Sequence, residues 1–155
     1  MSRLVVEFVQ EASLGRAVSG SNLSRFSPAE MREAIQELVT QDRLDMANAL
    51  SEASLACHPE SEDVLAISSL VSMVRQDWVQ AIELLTRLMQ VQGDEVTPFT
   101  HLMLVRALRS NLEPALALAA AEAGLRQHPR HADLLAERVS LIETSSNAAP
   151  SVAAD

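Results

Sequence analysis

DRLDMANAL at residues 42–50, QDWVQAIEL at 76–84 and LEPALALAA at 112–120 are three versions of one passage. Each opens with a turn and one bulky or ring residue (Leu44, Trp78, Pro114), and a small residue follows three places later. Those small residues, Ala47, Ala81 and Ala117, are separated by 34 and then 36 positions. Eight residues beyond each lies Leu55, Met89 or Leu125, and four further on comes a helix stop: Pro59, Gly93 or Pro129. Self-similarity at such a period marks stacked supersecondary units. It predicts units at about 28–61, 62–95 and 98–131, with two extra residues before the third.

Working outward, the first half of each unit carries helical periodicity. Met31, Ala34, Ile35 and Leu38 fall at i, i+3, i+4 and i+7, as do His101, Leu104, Val105 and Leu108. The matching places in the middle unit are Leu65, Ser68, Ser69 and Ser72. Three serines suit a tight crossing but make poor core, so the orientation of the 62–74 helix stays open. Alanine where two helices cross, with proline or glycine ending the second, describes a helical hairpin.

A period of 34 with a central alanine and a terminal proline resembles the tetratricopeptide repeat. The resemblance implies an all-α fold, a right-handed superhelix of three hairpins, over residues 28–144. Residues 132–144 would be a C-terminal capping helix with Leu135, Val139 and Ile142 on its covered face. Residues 1–27 read as a short N-terminal helix, carrying the stripe Leu4, Val5, Phe8 and Val9, and a flexible linker from Gly15 to Ser27. Such a stripe seeks cover, by packing on the solenoid, filling its groove or pairing with another copy; a homodimer is the favoured reading. Residues 145–155 read as a disordered tail.

Composition narrows the function. Apolar residues make up 48% of the 155-residue chain but aromatics only 3%, a palette of helix formers with few strand signals. Lysine is absent, the twelve arginines are scattered and the formal charge is −9, which argues against nucleic acid as a partner. Cys57 is the single cysteine, so no internal disulfide can form and a reducing compartment is expected. The apolar run at the N-terminus is too short for a signal peptide, and no stretch is long enough to span a membrane. A cytoplasmic protein follows from these readings.

The residues that could carry chemistry have structural explanations. His58 and His128 each precede a proline at the same place in units one and three, where a helix C-terminus favours histidine. His131 lies three residues beyond His128 without the ligands a zinc site needs. His101 is expected as an inward packing residue and Cys57 as a buried thiol, since Cys57 and His58, being adjacent, point apart. Trp78 fills a packing slot, and the acidic group Glu60, Glu62 and Asp63 falls between helices, where solvation is expected. Glycines are few and ungrouped, so no phosphate loop exists. No metal, cofactor or enzymatic activity is expected.

The resemblance implies that the first helix of each hairpin lines a concave groove. Arg32, Gln36 and Val39, then Ala66, Leu70 and Met73, then Leu102, Arg106 and Arg109 form three stripes at i, i+4 and i+7. Leu70, Met73 and Leu102 would anchor an apolar client segment, with Arg106 reaching its carbonyls or an acidic residue. A carboxylate clamp of the kind that holds chaperone C-termini is disfavoured, because Phe99 and Met103 stand where basic residues are wanted. Three units, acidic charge, an N-terminal helix and a short tail are also similar to the tetratricopeptide chaperones of bacterial type III secretion. That family implies an apolar secretion client; a general scaffold subunit of a multiprotein assembly is the alternative.

Overall fold

A computed structural model describes residues 1–16 and 20–148. Among them, regular structure consists of nine helices: α1 (Arg3–Ser13), α2 (Gly20–Leu23), α3 (Pro28–Thr40), α4 (Leu44–Cys57), α5 (Glu62–Val74), α6 (Trp78–Gln92), α7 (Pro98–Ser110), α8 (Pro114–Gln127) and α9 (Ala132–Ala148). They group into two compact units, Met1–Gly93 and Asp94–Asp155.

Helix starts are written in the sequence. Ser27, Ser61 and Thr97 cap α3, α5 and α7, each accepting a backbone N–H three residues on. Ser27 and Glu30 complete a reciprocal capping box, which holds the Glu30 carboxyl below its ordinary pKa. The stops repeat as well. Asp42, Gln76 and Leu112 adopt φ of 57°, 61° and 61°, and each closes a helix with the same two bonds. In the first, the N–H of Asp42 donates to Val39 O and that of Arg43 to Leu38 O, the Schellman arrangement. This left-handed residue recurs at the 34- and 36-residue spacing read from the sequence.

The crossing alanines Ala47, Ala81 and Ala117 have no exposed surface, so neighbouring helices approach to backbone distance. In unit 1, α3 packs on α4 and α5, α4 on α5, and α5 on α6. Met31, Ile35, Leu38, Leu50 and Val64 are completely buried there, each contributing about 1.5–3 kcal/mol by leaving water. The serines of α5 are buried too. Ser69 donates to Ala66 O at 2.7 Å, and Ser72 Oγ lies 3.0 Å from both Ser68 O and Gln80 Oε1. The hydroxyls of Ser69 and Ser72 return to backbone and a neighbouring amide, which lets a polar face enter the core, while Ser68 Oγ is buried without a partner among the described residues.

Several expectations change. Leu4, Val5 and Phe8 of α1 are buried against unit 1, with α1 on α3 and α2 on α4. The stripe expected to seek a second copy is covered within its own unit, which removes the basis for a homodimer through it. Ser2 N–H donates to Glu37 at 2.8 Å and Glu7 pairs with both Arg3 and Arg25, fastening the segment further. The expected linker contains α2, and its Leu23 and Phe26 enter the same core; residues 17–19 lie outside the described ones. Cys57 is half-buried against that core rather than fully covered.

In unit 2, α7 packs on α8, and α9 packs on both. Helix α9 runs to Ala148, four residues past its expected end, and the rest of the expected tail lies outside the described residues. Its covered face is Leu134 and Leu141; Val139 and Ile142 are 50% and 46% exposed, so the expected face is one residue out of phase.

Candidate functional site

The first helices of the hairpins carry every residue expected in a groove, and the two units present them differently. In unit 1, α3 offers Arg32, Gln36 and Val39, and α5 offers Ala66, Leu70 and Met73 one period later. Gln36 is exposed, while Val39, Ala66, Leu70 and Met73 are half-buried. Val39 and Leu70 rest on the unit 1 core, so their inner surfaces are held while their outer surfaces meet solvent. The outcome is an apolar strip on adjacent helices, with flexible Met73 at one end.

Arg32 is not a free cation at the edge of this strip. Its guanidinium meets Asp63 of α5 at 3.1 Å, so Asp63 is paired rather than merely solvated. Gln92 of α6 donates to Glu62 at 3.4 Å.

In unit 2 the polar stripe is engaged. Arg106 and Arg109 both bind Glu137 of α9, at 3.1 Å and 2.6 Å, and Arg109 also donates to Ser140 Oγ. The Glu137 side chain is only 12% exposed, so this carboxylate is committed to the two arginines. Arg106 therefore holds α9 and not, in this state, a client. Leu102 is 7% exposed and belongs to the interior. Glutamate there would challenge folding rather than test a binding surface.

Glu137 was the residue missed, and a signal for it existed. Arg32 and Asp63 are 31 residues apart, and Arg106 and Glu137 are also 31 apart. One rung links a first helix to the next first helix in each unit, one turn short of the repeat.

The histidines are structural in their contacts. His101 is 2% exposed and its Nε2 lies 3.3 Å from Gln127 Oε1; burial lowers its pKa from the ordinary 6.5. His128 Nε2 donates to Val96 O at 2.8 Å. Among the described residues, no three His, Cys, Asp or Glu side chains gather as metal ligands, and no helix is long and apolar enough to cross a membrane. A pocket of about 200 Å³ beside α1, lined by Leu4, Phe8, Leu23 and Phe26 with Glu7 and Arg25, is smaller than usual ligand clefts.

No known family model matches this chain, and no curated protein does. Solved structures do. MamA MSR-1 superposes with a TM-score of 0.68 at 17% identity, over 90% of this chain and 83% of that one. The tetratricopeptide domain of Arabidopsis OM64 gives 0.66 at 13% identity, over 81% and 99%. YrrB, a tetratricopeptide protein, gives 0.66 at 12%, over 95% and 69%. The fold is a tetratricopeptide-like helical repeat. At these identities the likeness speaks for the fold alone.

Proposed function

We propose that this repeat protein is a non-catalytic polypeptide-binding module, and that unit 1 receives an apolar client segment along Val39, Leu70 and Met73. The observation that carries this reading is the half-buried state of those three side chains on adjacent first helices. Their apolar surface is pre-organised by the core beneath, so a ligand would order little on binding. Gln36, exposed on the same face, supplies amide donors and an acceptor for the client backbone. YrrB is described as having an unusual peptide-binding site, which makes peptide recognition a use this fold supports.

The test is capture of client from cells that express the protein natively, with Met73→Glu against the exposed α6 control Gln90→Glu. A carboxylate set against an apolar ligand costs several kcal/mol, so capture should fall by about a hundredfold or more for Met73→Glu. Equal capture by two variants with matched melting curves would overturn the reading.

The narrower role, a cytosolic chaperone keeping a type III secretion client soluble, rests on the same strip and on the acidic charge of −9. Its requirement is a single apolar client from a secretion operon that precipitates when expressed alone and stays soluble with this chain. A client that is soluble by itself would favour the scaffold role instead.

A further inference from the structure

Unit 2 contains three of the four histidines: His128 and His131 lie between α8 and α9, and His101 of α7 stands against His128. His101 projects from α7 into the contact between α8 and α9. A Cβ built on Gly124 of α8 would lie 2.9 Å from His101 Cβ and 3.1 Å from Leu134 Cδ1 of α9. Imidazole, glycine and leucine thus stack across all three helices of the unit. His101 Nδ1 is buried without a partner among the described residues, while Nε2 faces Gln127. A second proton on the ring would place an N–H where nothing accepts it.

The neighbours act in the same direction. The His128 ring stands edge-on to His101 at 6.0 Å between centroids, and its Nε2 can donate to Val96 O in either protonation state. A charge on His128 would oppose one on His101. His131 precedes α9, and its Nδ1 accepts the N–H of Leu134 at 3.4 Å, in the place of an N-cap. Protonation removes that lone pair and puts a cation at a helix N-terminus. No carboxylate bonds any of the three rings among the described residues. Of the ionisable groups on α9, Glu137 is held by Arg106 and Arg109, and none of Asp133, Arg138 and Glu143 bonds these histidines among the described residues.

We propose that the α8–α9 junction is a proton-operated latch, in which a proton forced onto the buried His101 ring, whose Nδ1 has no acceptor among the described residues, releases α9 from the α7–α8 hairpin. Release takes Glu137 away from Arg106 and Arg109, so the two guanidinium groups turn free for an acidic partner only in the open state. The latch is independent of client binding by unit 1, and its test needs no client.

Amide hydrogen exchange of the full chain, read by mass spectrometry at about pH 7.5 and about pH 5 and corrected for intrinsic rates, measures it directly. Protection of α9 should fall by about tenfold or more at the lower pH, while α3–α5 keep theirs. In His101→Gln, which retains an amide toward Gln127 and cannot charge, the fall should be markedly smaller. His128→Gln removes the opposing charge while leaving His101 itself in place and should also reduce it, which keeps the test intact if His101→Gln folds poorly. Equal α9 protection at both pH values would overturn the proposal. So would a loss shared equally by α3–α5, or a full loss of α9 protection in both variants.

Discussion

Gly124 lies directly against His101, at a distance where an added methyl group would have to overlap the histidine Cβ. The contact joins the last turn of α8 to α7 close to backbone, so the glycine is a packing requirement rather than a flexible point. Gly124→Ala gains helix propensity of about 1 kcal/mol, yet overpacking at a rigid contact costs about 1–3 kcal/mol. The clash should win, because the opposing atom is a Cβ that cannot swing aside. A lowered melting temperature is expected; a raised one would mean that α7 and α8 can separate without penalty.

Leu112 makes the opposite prediction. It occupies a left-handed turn position with φ of 61° and is 87% exposed, so its side chain gives almost nothing in return for the conformation. Asparagine tolerates that region far better. Leu112→Asn should raise stability by roughly 0.5–1 kcal/mol, of the order that a relieved turn residue yields. Chemical denaturation would show this as a higher midpoint with unchanged slope.

The N-terminal helix supplies a third test. Phe8 is buried in unit 1 with Leu4, Val5, Leu23 and Phe26. Phe8→Ala should cost about 3–5 kcal/mol if α1 is an integral part of that core. A melt like that of the parent chain would mean that α1 is only loosely applied.

The period, the crossing alanines and the turns were legible because each demands a residue type at a fixed place. Ala81 marked the middle hairpin even though Ser68, Ser69 and Ser72 obscured its helical stripe. For Ser69 and Ser72 burial was hidden because it depends on hydroxyls bonding to carbonyls one turn back, which apolar periodicity does not register. Helix α9 misled for a related reason. The stripes 134–138–141 and 135–139–142 differ by one residue, about 100° of rotation, and Arg138 made the true one look polar. The short α2 lay below the length that periodicity can detect. Pairing was the least visible feature of the site: Arg106 and Arg109 read as free groove cations until α9 brought Glu137 between them.

The two units should respond to acid in separate steps. In unit 2, burial lowers the His101 pKa below the ordinary 6.5, so the unfolded chain takes up that proton first. Stability from this residue is complete above 6.5 and is lost as pH falls below it toward the folded value. In unit 1, the backbone N–H of Ser2 holds the Glu37 carboxyl below its ordinary 4.5. That contribution is present above 4.5 and disappears as pH falls through the lowered folded value. A series of thermal melts from about pH 7.5 to about pH 3.5 should therefore decline in two limbs, the first from the histidine and the second from carboxylates. His101→Gln should flatten the upper limb and leave the lower one. Glu37→Gln should leave the upper limb and shrink the lower one, the remainder of which belongs to Glu30 in its capping box. If either substitution altered both limbs equally, the two groups would not be titrating as independent parts of separate units.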